Sequence, residues 1–358
     1  MARLLFGTAR LEQRRYCMWR ALSTFVLALA GASATVAAGA PDATNRDVGW
    51  AVGAGGTIVA TADGGKTWAA QESGLEVALR SVWFIDRQTG FAVGDKGAIA
   101  STTDGGKTWR AGKHPVGVRH GAVQFVGPSR GFITTFLGVL TTTDGGTTWN
   151  PIEVAGENLL RGASFVDAST GLVVGVDGEQ NAPRAMRTTD GGKTWREVAI
   201  EKPPGVQLLD VAHGSRQAAW AVGQNLGEPD RPNGTILATR DGGKSWEVQW
   251  QHSVTYLYTT SFVSAETGWA AGYAGSLAKP LVLTTQDGGQ NWKPRAVPGD
   301  QIVTGSQLVD EAHGWVVGTE GLIAATSDLG KTWARQDSGV ARHLFAVHFP
   351  QPADEAGE

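Results

Sequence analysis

The chain is poor in the residues that carry covalent and metal chemistry. Its 358 residues include one cysteine, Cys17, so no intramolecular disulfide can form and a thiol site would rest on that residue alone. Tyrosine occurs four times and methionine three times. No apolar stretch is long enough to span a bilayer as a permanent helix. The seven histidines, at 114, 120, 213, 252, 313, 343 and 348, are scattered, with no His-Glu-x-x-His segment and no close carboxylate triad. Every Gly pair falls in a turn of a repeat rather than in a phosphate-cradling loop. Neither a metal nor a cofactor is therefore expected.

A basic excess is also missing, and the N-terminal segment accentuates this. Residues 1–20 carry five arginines and Glu12; an apolar run from Ala21 to Gly31 and the small residues "ASATVAAGA" follow. That order predicts a secretory signal peptide over 1–40, with Ala34, Ala37 and Ala40 as candidate cleavage points and Met18 as an alternative start. The Arg14-Arg15 pair raises the twin-arginine route, but "YCMW" after it fits that pattern poorly. Cys17 precedes the apolar run, so it is no lipoprotein acylation site. Removing five of 31 basic and one of 34 acidic residues leaves 26 and 33, a net charge of −7. An acidic chain of this kind is not built for nucleic acid.

What is present is repetition. "TADGGKTW" at 61 returns as "TTDGGKTW" at 102, "TTDGGTTW" at 142, "TTDGGKTW" at 188, "TRDGGKSW" at 239, "TQDGGQNW" at 285 and "TSDLGKTW" at 326. The aspartates, Asp63, Asp104, Asp144, Asp190, Asp241, Asp287 and Asp328, are spaced by 40 to 51 residues. Between them lie short runs such as "SVWFID", "GFAVG" and "AIAST", rich in Val, Ile, Phe and Trp and separated by Gly or polar turns. Such runs are strands. Four per unit, here termed A to D with the box between C and D, predict an all-β, seven-bladed propeller over 41–358. The first unit lacks strand A, and the tail "SGVARHLFAVHFP" at 338 aligns with "SGLEVALRSVWFI" at 73. The C-terminus is therefore expected to complete the first blade and close the ring.

The box is expected to be a folding device. Asp-Gly marks a tight hairpin, in which Gly adopts positive φ cheaply. The first Gly becomes Leu329 in the last copy while the second never changes, so the second position is expected to need positive φ. The carboxylate should accept hydrogen bonds from turn amides and from the following Thr. The box tryptophans, Trp68, Trp109, Trp149, Trp195, Trp246, Trp292 and Trp333, should pack on the neighbouring sheet. A single carboxylate per turn is too few oxygens for calcium.

The motif T-x-D-G-G-x-T-W resembles the Asp-box, or bacterial neuraminidase repeat. The longer pattern F-x-D-x-x-x-G-F-A-V-G-x-x-G-x-I-x-x-T-x-D-G-G-x-T-W is similar to that of the photosystem II stability and assembly factor family, over about 48–349. The resemblance implies a seven-bladed propeller, lumenal or periplasmic and non-enzymatic. It implies a chaperone-like binder that uses an arginine patch to hold a protein client while a membrane complex assembles.

In this sequence Arg80 and Arg161 stand four residues before the Phe that ends strand A. The same offset gives Gly121, Leu209, Tyr258, Thr304 and Phe345 in the other blades. Arg119 and Arg342 are near but out of register. Strand direction puts the starts of strand A, with Arg80, Arg119, His120, Arg161, Arg342 and His343, on the face of the B–C loops. Three of those loops are long, after Gly175, Gly223 and Gly272. This face is the expected protein-binding surface. The expectation is thus an exported, periplasmic, monomeric binding protein without a membrane span after cleavage, or a lumenal one in a photosynthetic organism. The alternative is a glycan-binding or sialidase-like glycoside hydrolase propeller. Against it, the three tyrosines beyond the leader have no paired Glu, and Asp86, Asp167 and Glu266 fall in A–B turns, where acids are ordinary turn formers.

Overall fold

The computed structural model describes residues 46–351, except 116, 153, 155–157, 179–181, 199, 201–204, 226–232 and 276–278, together with Phe25–Val26. The leader expected over 1–40 and the centres of the three long B–C loops thus lie outside the described residues, apart from that pair.

Seven antiparallel sheets follow one another, each with the order A-B-C-D. Blade 1 comprises Leu344–His348, Gly49–Gly53, Ile58–Thr61 and Ala69–Gln71; blade 2 comprises Leu79–Phe84, Gly90–Gly94, Ala98–Thr102 and Arg110–Lys113. Blade 3 comprises His120–Phe125, Gly131–Thr135, Gly138–Thr142 and Thr148–Ile152; blade 4 comprises Asn158–Phe165, Gly171–Asp177, Pro183–Thr188 and Arg196–Val198. Blade 5 comprises Val206–His213, Ala219–Asn225, Asn233–Thr239 and Glu247–Ser253; blade 6 comprises Thr255–Phe262, Gly268–Ala274, Lys279–Thr285 and Lys293–Ala296. Blade 7 comprises Val303–Leu308, Gly314–Gly318, Ile323–Thr326 and Ala334–Gln336. Phe25–Val26 adds a fifth strand to the outer edge of blade 3, pairing with Trp149 and Thr148. The C-terminal strand pairs with the first B strand in the expected register, His348 opposite Trp50 and Val347 opposite Ala51, so the ring is closed between tail and head.

The apolar core is divided among the blade junctions. Each of the seven clusters of buried side chains joins two neighbouring sheets. At their centres an aromatic ring near the start of strand B stacks on the Phe ending strand A of the next blade: Trp50 on Phe84, Phe132 on Phe165, Trp220 on Phe262 and Trp315 on Phe349, with centroids 3.4 to 3.7 Å apart. Such pairs contribute about 0.5–1.5 kcal/mol each beyond their burial. The Phe also lies across the Gly that opens strand B of its own blade. A Cβ at Gly90 would fall 2.5 Å from the Phe84 ring, which is why "F-x-D-x-x-x-G-F" keeps that Gly.

A second set of bonds stitches the blades around the channel. In five junctions the residue before the terminal position of strand A accepts from a main-chain amide of the next blade. These are His348 Nδ1 from Phe84 N, Gln124 from Phe165 N, Ser164 from His213 N, Ser261 from Leu308 N and Gln307 from Phe349 N. Blades 2 and 5 carry Trp83 and Ala212 there, which offer no acceptor. Acceptor and donor both move two residues along the strand, to Ser81 with Val123 N and Asp210 with Thr260 N. A two-residue step keeps the side chain on the same face. The ring is thus continuous through seven junctions.

Candidate partner-binding site at the channel mouth

The Asp boxes form the outer contacts. Thr61 Oγ1 donates to Asp63 Oδ1 at 2.8 Å, Thr67 N to Oδ1 at 2.9 Å, and Thr67 Oγ1 to Oδ2 at 2.7 Å. The same triplet holds Asp104, Asp144, Asp190, Asp241, Asp287 and Asp328, with Ser245 and Asn291 replacing Thr in two of them. The Thr hydroxyl has a second role, accepting from the second Gly amide, as in Gly65 N to Thr61 Oγ1 at 2.8 Å. Donors from Thr67 and Thr194 lower Asp63 and Asp190 to about 2, so these carboxylates stay ionised and occupied within the turn. The second Gly has positive φ in every box, as expected, and the first position shares it. Both positions are left-handed, Gly64 at 72° and Gly65 at 87°, and Leu329 adopts 56° in the last box.

Five of the boxes are also seen bonded across a junction. Trp68 Nε1 donates to Gln336 Oε1 of blade 7 at 3.0 Å, and Gln336 Nε2 donates to Gly64 O, so the ring closure is reinforced at its rim. Trp109 and Gly105 have the same relation to Gln71. Arg130, Arg187 and Arg240 reach the first-Gly carbonyl of the following box at other junctions. Asp86 and Asp167 each cap two amides of their own A–B turn, as turn formers do.

The inner ends of the blades differ. In every blade strand A carries a β-bulge against strand B. The extra residue is Phe345, Arg80, Arg161, Leu209, Tyr258 or Thr304, and Gly121 with Ala122 in blade 3. These are the positions of the fixed offset seen in the sequence. A bulge re-aims a side chain, and all seven positions line one central cavity of about 1030 Å³. The Gly ending strand B makes room for it: a Cβ at Gly94 would lie 2.0 Å from Ala78 O, and Gly53, Gly175, Gly223, Gly272 and Gly318 meet strand A backbone as closely.

Three of the predicted arginines converge at this mouth. Arg80 binds Asp95 through Nε at 3.0 Å and Nη2 at 2.8 Å, and its guanidinium lies 4.5 Å from the Phe345 ring centroid. Arg119 reaches the same carboxylate at 3.6 Å, and Arg119 and Arg161 lie 5.2 and 5.7 Å from the ring centre of Phe136. Burial depresses Arg119 to about 10, and repulsion from Arg80 and Arg161 adds to it, while Asp95 opposes the shift. Arg161 is lowered by burial and then by Arg80. Buried Nε atoms of Arg119 and Arg161 lack a hydrogen-bond partner. Within the cluster Asp95 is ion-paired with two of the three guanidinium groups, those of Arg80 and Arg119, so positive charge is in excess and the cluster is suited to an anion.

The remaining predicted residues part company. His120 is fully buried, with Nδ1 3.2 Å from Ala98 O, so it has no surface to offer a partner and is withdrawn from the set. Strand A pairing turns it into the sheet while Arg119 before it points out. Arg342 is exposed and covers Gly55, and His343 accepts from Glu320 N; both lie on the same face but outside the cavity lining. Sequence reasoning missed Asp95, Phe136 and Phe345 as supports of the arginines. The signal was available for Phe136, an aromatic residue in a tight B–C turn where a polar one is usual.

Fold and mouth together define a class: a β-propeller whose Asp boxes brace the ring and whose channel opens through a cationic, aromatic-supported mouth. The model of the photosynthesis system II assembly factor YCF48 family matches residues 71–157, essentially blades 2 and 3. No curated protein sequence matches the chain. Solved structures match its fold: YCF48 bound to D1 peptide, at 20% identity over 72% of this chain and 81% of that one, TM-score 0.55; YCF48 from Cyanidioschyzon merolae, at 18% over 76% and 94%, TM-score 0.54; and the GH74 xyloglucanase from Xanthomonas campestris, at 14% over 85% and 52%, TM-score 0.61. The chain therefore resembles the photosystem II assembly-factor-like family. The xyloglucanase likeness shows the propeller fold.

Proposed function

We propose that this chain is a non-enzymatic, exported binding propeller that holds a protein client at the channel mouth and assists assembly of a membrane or envelope complex. One observation carries the reading. Arg80, Arg119 and Arg161, from different blades, converge at the opening of a large cavity, where Asp95 pairs with Arg80 and Arg119. Guanidinium groups so arranged recognise carboxylates, and a rigid ring presents them without conformational cost. The family-model match, and a relative captured with a peptide, support the same reading. Among the described residues no group of three or more His, Cys, Asp or Glu could hold a metal, and no helix is long and apolar enough to cross a membrane.

The test is charge reversal at Arg80 and Arg161, with the tagged protein captured from its native envelope. Loss of specific membrane-complex subunits at unchanged melting temperature is expected. Capture that persists would overturn the reading, and hydrolysis of a glycoside by the wild type would replace it with the glycan one.

A further inference from the structure

The seven bulge positions are one structural site carrying six kinds of residue, with Arg in two blades. Going round the ring they read Phe345, Arg80, Gly121, Arg161, Leu209, Tyr258 and Thr304. The order is not mixed. Blades 2 to 4 hold the cations, with Phe136 lying beside both Arg119 and Arg161. Blades 5 and 6 hold Leu209 and Tyr258, blade 7 a hydroxyl, and Phe345 of blade 1 joins the two arcs. In a seven-membered ring blades 6 and 7 stand opposite blade 3. One side of the opening is therefore cationic, and the facing side is apolar and aromatic.

The apolar arc is supported as a surface. Three of the four tyrosines of the chain gather there: Tyr256 stacks on Tyr273 at 4.5 Å, and Tyr258 lies 6.1 Å from Tyr273 and hydrogen-bonds to it. Tyr258 lines the cavity and is tied to Tyr273 on the adjacent strand of its own blade. Such an aromatic surface contacts an apolar side chain at low entropic cost.

We propose that the bulge ring is the specificity filter of the mouth, and that it takes an extended peptide segment with an acidic side chain on the Arg80–Arg119–Arg161 arc and a large apolar side chain on the Leu209–Tyr258 arc. The segment lies across the opening. The arginines are at the edge of the mouth, with Arg80 and Arg119 side chains 25% and 34% exposed, so a chain passing over them meets both arcs and leaves by either side. The inference rests on protein binding at this face and adds which residue pair is selected.

The test uses the whole mature protein and random heptapeptides displayed within a longer chain, with the same pool also offered with a free C-terminus. Wild type should enrich segments in which Asp or Glu has Phe, Leu or Met a few residues away. Tyr258→Ala should lower the apolar preference about tenfold, the worth of one buried side chain, while acidic selection survives. Tyr258→Phe should keep it. Arg161→Gln should do the reverse, weakening acidic selection and sparing the apolar one. Melting curves confirm that the variants fold. Acidic selection without an apolar preference, or an apolar preference indifferent to Tyr258→Ala, overturns the filter and leaves the client site standing. Enrichment confined to free C-termini overturns the crossing segment. No enrichment of any peptide overturns both the filter and the binding reading.

Discussion

The rim and the mouth of this propeller were built from the same repeat and treated in opposite ways. At the rim, seven C–D turns carry one solution: an Asp held by three donors, a preceding Thr that accepts from the second Gly, and a Trp against the neighbouring blade. At the mouth, seven bulges share one place in the blade and no common side chain. A position that is identical in every blade does what every blade needs, which is to fold and to join its neighbour. A position that the backbone aims into the channel, and that varies among the blades, is where a particular partner can be specified.

The comparison can be broken at either end. The largest effect is expected from Gly94→Ala, because the new Cβ would meet Ala78 O at 2.0 Å and the bulge that aims Arg80 could not form. Overpacking of this kind costs about 1–3 kcal/mol, read by urea unfolding, and client capture should fall with it. Asp104→Ala strands the donors of Thr102 and Thr108 and should cost about 1–3 kcal/mol, with capture unchanged in the folded fraction. If that variant lost capture while keeping its melting temperature, the box would not be merely structural. Ser81→Ala removes one stitch of the inner ring, from Val123 N, and should cost about 0.5–1.5 kcal/mol.

Acid separates the two regions without mutation. Burial holds His348 and His120 near 3 and His213 and His114 near 4, below the ordinary 6.5. The folded state then binds fewer protons than the unfolded one, so stability is full above pH 6.5 and falls as pH drops toward 4. Asp210, raised by burial to about 6, acts in the opposite direction but is one group against four. Box carboxylates such as Asp63 and Asp190 titrate near 2 and should contribute little to this loss. The urea midpoint should therefore decline between pH 6.5 and 4, and His348→Gln, which keeps an acceptor toward Phe84 N, should flatten the decline. An unchanged slope would remove His348 from that account.

Much of the fold was legible in the sequence because repetition multiplies weak signals. One Asp-Gly is a turn; seven at a steady spacing fix the blade, and the match of the tail to "SGLEVALRSVWFI" fixes the closure. The box Asp was legible for the same reason. The φ of the first Gly was not, because Leu329 showed only that the position tolerates a side chain, not that the chain avoids the left-handed region there. The mouth was half legible. The fixed offset picked out Arg80 and Arg161, but the bulge that turns them inward depends on pairing with Gly94 and Gly175. Arg119 joined them from outside the register because a guanidinium on a long stem can reach Asp95 across a blade. His120 went the other way, since one residue along a strand is the other side of the sheet. The inner stitches were hidden because Ser, Gln, His and Asp do the same work at two alternating positions, leaving no common letter to find.

The division between rim and mouth is tested most directly by measuring client capture and melting temperature together for the Arg80→Glu/Arg161→Glu double variant beside Asp104→Ala. The account predicts that the arginine variant loses capture and keeps its melting temperature, while the Asp104 variant loses melting temperature and keeps capture per folded molecule. The opposite pairing would contradict it.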